Sequence, residues 1–196
     1  IKKDTYVKKY KFTFTETIFA YACSSAYWNI IRNILRYKNM TNILNKSLIM
    51  ASKNGHLEVV KFLVEKGANI HADDDCALCL ASENGHLEVI KFLVNNGASI
   101  HALNDYDLQR ASRNGHLEVV KYLVEKGANI HAHDDCALRS ASKKGHLKVV
   151  KYLVEKEANI HACNDYALQW ASENGHLKVA KYLVEMGANI HAHDVC

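Results

Sequence analysis

The stretch "NGHLEVVKFLVEKGANIHA", Asn54 to Ala72, settles the class of fold, because the chain writes it again and again. Copies begin at Asn84 and Asn114 with few changes, and at Lys144 and Asn174 with more. Their Gly-His pairs stand at 55–56, 85–86, 115–116, 145–146 and 175–176, a period of 30 residues without a slip. A fixed period of this size marks small supersecondary units that stack in a row. No such unit can bury its apolar face alone, so each must be covered by its neighbours.

Two helices are legible in each unit. In "HLEVVKFLVEK" the apolar residues Leu57, Val59, Val60, Leu63 and Val64 form a broad face, while Glu58, Lys61 and Glu65 make a charged stripe at helical spacing. Gly67 is the expected left-handed stop. The partner helix is predicted over Asp75–Asn84, with Leu78 and Ala81 inward and Gly85 ending it. Asp75 and its successors Asp105, Asp135 and Asp165 are expected to cap that helix through their carboxylates. In the connection "GANIHADDD", Ile70 is the expected buried anchor.

This helix–turn–helix wording, "A-S-x-N-G-H-L-E-V-V-K-x-L-V-E-x-G-A-N-I", resembles the ankyrin repeat over residues 46–196. Units of 30 residues worded this way resemble the ankyrin repeat proteins of giant amoebal DNA viruses. The resemblance has two departures. The usual period is about 33 residues, and the shortfall lies in the loop after Ala72, Ala102, Ala132 and Ala162. The family's T-P-L-H opening is replaced by Cys76-Ala77-Leu78-Cys79 and its successors, keeping only the Leu. The expected fold is therefore an all-α, ankyrin-type α-solenoid of about six stacked helix pairs, with short tight loops and little or no β-hairpin.

Ahead of the repeats, "IFAYACSSAYWNIIRNILRY" aligns on them when Ala22 is set on Ala51. It reads as a degenerate capping repeat over 16–45, preceded by an extended basic arm over 1–15. Residues 1–45 hold eight Lys/Arg against two acids, a net +6, while 46–196 hold seventeen against nineteen. The basic excess is thus N-terminal, and the arm's "YVKKYKF" mixes cations with aromatics in a way that suits nucleic acid or an acidic membrane. The last copy keeps internal wording where a solenoid end calls for a polar face, so it is expected to be uncapped. No apolar run reaches the ~18 residues of a membrane span.

The histidines are the first candidates for chemistry. Five follow the turn glycine (His56, His86, His116, His146, His176) and five sit in the loops (His71, His101, His131, His161, His191). Zinc needs donors within ~2.1 Å, whereas equivalent residues of stacked helices lie roughly 10 Å apart. Neither ladder makes a metal site, and both are read as braces bonded to backbone. Two groups break the symmetry, His131/His133/Cys136 and His191/His193/Cys196, but neither shows a fourth ligand. Cys136 stands where the family buries a Thr and is expected to face inward. Cys76, Cys136 and Cys196 alternate with Tyr106 and Tyr166. Two repeats part these cysteines, roughly 20 Å, too far for intrachain disulfides, so they are read as reduced thiols. No nucleophile has a base and an orienting group of its own, so no catalytic, cofactor or metal residue is assigned.

Surface remains. Between copies the framework letters hold, while loop tips and the short helix vary: Leu103 and His133 in the loops, and Cys79, Leu80, Glu83, Gln109, Arg110, Arg113, Arg139, Lys143, Gln169, Trp170 and Glu173 on the helix. In the ankyrin family this is the concave face that grips partners, and Trp and Arg are enriched at binding hot spots. The resemblance implies a non-enzymatic protein–protein interaction scaffold. Its expected partner is a protein, with no small molecule, nucleic acid, membrane or cofactor, and it acts as a monomer in the cytoplasm, for a viral protein that of the host. The alternatives are a structural spacer and nucleic-acid binding through the arm.

Overall fold

The computed structural model describes residues 22, 23, 25, 27, 29–31 and 41–192. Among them the fold is all-α, with no strand. The helices are α1 (Thr41–Lys53), α2 (Leu57–Glu65), α3 (Ala72–Glu83), α4 (Leu87–Asn95), α5 (Tyr106–Arg113), α6 (Leu117–Glu125), α7 (Ala132–Lys143), α8 (Leu147–Glu155), α9 (Ala162–Glu173) and α10 (Leu177–Glu185). Odd-numbered helices are the partner helices, called short because the regular turns of α3, α7 and α9 begin only after Asp75, Asp135 and Asp165, and even-numbered ones carry the "HLEVVKFLVE" wording. The chain divides into two compact units, 1–81 with 88–98 and 82–87 with 99–196.

In the second unit α5, α7 and α9 pack side by side, α6, α8 and α10 do the same, and each short helix also packs on its own long one. The stacking places Val119, Val120, Leu123, Leu108 and Ala111 in the core, and the same letters follow at 149, 150, 153, 138 and 141. In the first unit α1 packs on α2, burying Leu48, Ala51, Val59, Val60 and Leu63. The charged stripe faces water: Lys61–Glu58, Lys91–Glu88 and Lys121–Glu118 pair at 2.7–2.9 Å. Exposed pairs of this kind contribute at most about 1 kcal/mol each.

Each long helix ends in a left-handed stop. Gly67 N–H donates to Val64 and Ala68 N–H to Leu63, at 2.9 and 3.0 Å, the paired bonds of a Schellman motif. Glu157 holds the same place with φ 69 and makes the same two bonds through Glu157 and Ala158, both at 3.0 Å. Side chains there meet no obstacle, since a Cβ at Gly67, Gly97, Gly127 or Gly187 would have nothing within 4 Å.

The start of the short helix corrects the sequence reading. Asp105 makes no capping bond from its side chain, the Asp135 and Asp165 carboxylates turn to His and Asn partners instead, and these three and Asp75 all have positive φ, 55–59. Each closes a run of three left-handed residues: Asp73-Asp74-Asp75, Leu103-Asn104-Asp105, His133-Asp134-Asp135 and Cys163-Asn164-Asp165. A left-handed residue costs roughly 1–2 kcal/mol, and Asp and Asn bear it best among residues with a side chain. That is why the last two places of each run hold only Asp or Asn; the regular turns of α3, α7 and α9 begin only after these residues, as α5 begins at Tyr106 straight after Asp105. Ile70 also departs from expectation, being half-buried where Ile100 is buried.

The expected arm falls outside the described residues, as does most of the worn repeat. Its described part repeats the turn seen later. Tyr27 N–H donates to Ala22 at 2.8 Å, as His56 N–H does to Ala51 at 3.0 Å, and Ala22, Cys23 and Ile31 are buried.

Candidate functional site

Two polar ladders hold the second unit in register and fix the surface beside them. In the first, the turn histidine of one repeat reaches back to the helix end of the one before. His116 Nε2 donates to the Glu83 carbonyl, His146 to that of Arg113 and His176 to that of Lys143, at 2.9, 2.9 and 3.0 Å. The ring lies flat against the preceding turn glycine. A Cβ on Gly85, Gly115 or Gly145 would sit 2.5 Å from Nδ1 of His116, His146 or His176, so glycine is needed there for room as well as for its positive φ. Burial pushes the His146 imidazole below the ordinary histidine value, and the neighbouring His116, His176 and Lys144 push the same way against its bond to Arg113.

In the second ladder the loop histidine pairs with a carboxylate, not with backbone as expected. Nδ1 of His101, His131 and His161 lies 2.9–3.0 Å from Oδ1 of Asp105, Asp135 and Asp165. The same Oδ1 accepts the N–H of an Asn in the following repeat: Asn129 at 3.1 Å, Asn159 at 2.8 Å and Asn189 at 2.9 Å. The Asn side chain in turn holds the loop, as Asn129 Oδ1 accepts from His131 N–H at 2.9 Å. Thus "G-A-N-I-H" and the loop Asp are two halves of one joint. In the first unit Asn45 does the aspartate's job, accepting from Asn69 N–H at 2.7 Å.

These engagements separate the residues read as a possible ligand group. His131 faces Asp135, His133 Nε2 lies 3.4 Å from Asn104, and Cys136, half-buried, has its sulfur 3.7 Å from Ser140. Among the described residues no group of three or more His, Cys, Asp or Glu is arranged to hold a metal. His193 and Cys196 lie outside the described residues. Burial pushes the Cys23 thiol up to about 12, far from a reactive thiolate at neutral pH.

The variable positions of the second unit come together as a cationic and aromatic strip along α5, α7 and α9. Arg110 lies 4.6 Å over the Tyr106 ring and 3.3 Å from Glu83. Trp170, on α9, is flanked by two cations of α7: Lys143 at 4.3 Å from the ring centroid and Arg139 at 5.8 Å. Tyr166 packs edge-on against Trp170 at 4.9 Å. Cation–ring contacts of this kind contribute about 0.5–1 kcal/mol when exposed. Ser140, at the place Trp170 holds on α9, is small and buried.

Two of the variable residues also serve the fold. Arg139 donates to the carbonyls of His133 and Asp134, at 2.7 and 2.9 Å, and Gln169 donates to that of Asn164 at 2.9 Å. Both brace the left-handed turn. Arg113, Lys143 and Glu173 are exposed, and Gln109 is half-buried. Leu103, 57% exposed, lines an open groove of about 400 Å³ with Tyr106, Gln109, His133 and Cys136. Cys79 and Leu80 are half-buried on the part of α3 that belongs to the first unit. Sequence reasoning missed Tyr106 and Tyr166 as members of the strip. Their alternation with cysteine was visible but served only to place the cysteines two repeats apart.

A larger groove, about 590 Å³, lies on the last repeat between α9 and α10, with Leu177, Val184 and Ile190 in its walls. The matching residues Leu147, Val154 and Ile160 are half-buried, so this groove lies on the face that the following repeat covers in the earlier copy.

The family model for ankyrin repeats matches residues 3–74, 19–104, 50–134 and 108–194. A curated relative, the ankyrin repeat protein L45 of Acanthamoeba polyphaga mimivirus, is 41% identical over 80 residues, which is 35% of each chain. The chain thus spans about a third of that relative's length. No described helix is long and apolar enough to cross a membrane.

Proposed function

The chain belongs to the ankyrin-repeat family, whose repeats are in general protein–protein interaction modules and typically not enzymes, and from that premise we propose that it is a non-enzymatic scaffold that docks a protein on its short-helix face. One observation carries the reading. The positions that vary between repeats are those that leave the framework, and in the second unit they gather Arg110, Arg139, Lys143 and Trp170 into mutual contact or onto adjoining helices. The relationship to a mimivirus protein supports a viral chain that engages a host factor in the cytoplasm of the infected cell.

The test is affinity capture from amoebal lysate with the chain and with an Arg110→Ala/Trp170→Ala variant. The variant should keep its helical circular dichroism and lose the captured proteins. Unchanged capture would remove this face from the proposal and favour a spacer role.

A further inference from the structure

We infer that the strip on α5, α7 and α9 receives a short acidic protein segment, with an apolar side chain seated in the groove of Leu103, Tyr106, Gln109, His133 and Cys136. This rests on the proposed use of the short-helix face and names the chemistry of its partner. The charge pattern carries it. Arg110 is met by Glu83. Arg139 is held by two carbonyls, which orient the guanidinium without neutralising it. Lys143 rests on the Trp170 ring, again without a carboxylate. With exposed Arg113, three cations have no carboxylate partner among the described residues, on helices that pack side by side. Exposed arrays of one sign attract the other and set the register of a partner.

The groove adjoins this patch, because His133, one of the residues lining it, also offers its carbonyl to Arg139 at 2.7 Å. An extended segment could therefore place an apolar side chain in the groove and its following carboxylates on Arg139, Lys143 and Arg113. A nucleic acid fits less well. A strand carries a phosphate roughly every 3.4 Å, and the strip is short, closed by Glu83 on α3 and Glu173 on α9, with exposed Asp134 beside Arg139. A continuous polyanion would meet Glu83 and Glu173 at the ends of the strip, whereas a brief acidic run ends before them.

The test uses fluorescence anisotropy with the whole chain. The probes are a fluorescein-labelled peptide of one leucine followed by four glutamates, its glutamine counterpart, and a labelled single-stranded oligonucleotide of equal length. The acidic peptide should bind about tenfold or more tightly than the glutamine one, a difference of about 1.4 kcal/mol, and weaken as salt screens the charges. Arg113→Gln/Lys143→Gln should abolish that preference while the helical signal stays, since both side chains are exposed. Equal binding of the two peptides, an unchanged preference in the double variant, or tighter binding of the oligonucleotide would each overturn the inference. If the peptides fail while Arg110→Ala/Trp170→Ala still loses captured proteins, the docking face stands and only its acidic partner is withdrawn.

Discussion

The repeats at 145–162 and 175–192 are nearly the same text, "GHLKVVKYLVEKEANIHA" and "GHLKVAKYLVEMGANIHA", yet their side chains live in different surroundings. In the earlier copy Leu147, Val154 and Ile160 are half-buried. In the later one Leu177 is 63% exposed, Val184 43% and Ile190 65%. The short helices show the same split, with Ser142 fully buried and Ser172 exposed. Local sequence cannot explain the difference, since the letters hardly change. What changes is whether another repeat lies on the far side. A residue's burial in such a chain belongs to the interface between copies, and so does most of its contribution to stability.

Substitutions should break or sharpen this contrast. The largest effect is expected at the joint between copies. Asp135→Ala removes the acceptor for His131 and for the Asn159 N–H and puts alanine at φ 55, so chemical denaturation should show a loss of about 1–3 kcal/mol for the orphaned amide and more for the backbone. Asp135→Asn should keep most of the stability, because Asn45 already does this work in the chain. An asparagine variant as damaged as the alanine one would show that the bond to His131, not the joint to the next repeat, matters. Next comes the matched pair Leu147→Ala and Leu177→Ala. The half-buried leucine should cost about 1–2 kcal/mol at the usual ~25 cal/mol per Å², and the exposed one under about 0.5 kcal/mol. Equal losses in melts of the two variants would erase the contrast. The last effect is a gain. Glu157→Gly relieves a left-handed residue at no loss of packing and should stabilise by about 1 kcal/mol; a neutral or harmful result would mean that the Glu157 side chain has a use of its own.

The period, the paired helices and the absence of strands among the described residues could be read from the Gly-His spacing and the 3.6-residue apolar pattern. The left-handed turn could not, because Asp and Asn serve equally as helix caps and as tolerant residues at positive φ. The letters at 73–75 fit both, and only the backbone distinguishes them. The role of the loop histidines was hidden for a related reason. His131 and Asp135 are four residues apart on what reads as an irregular loop, and their meeting depends on the turn between them. For the strip, variable positions named Arg110, Arg139, Lys143 and Trp170, but Tyr166 was passed over because it sits at a position that looked like packing.

The contact that defines neighbouring copies is the turn glycine of one against the histidine of the next, and it offers the most direct measurement. Gly145 and Gly175 have φ of 76 and 72, so alanine carries the same backbone penalty at both, about 1–2 kcal/mol. At 145 the new Cβ would lie 2.5 Å from the His176 ring, while at 175 it would meet nothing within 4 Å. Equilibrium unfolding of Gly145→Ala and Gly175→Ala should therefore show the first losing at least about 1 kcal/mol more, from overpacking and a displaced His176–Lys143 bond. Equal losses at the two glycines would contradict stacking in a 30-residue register.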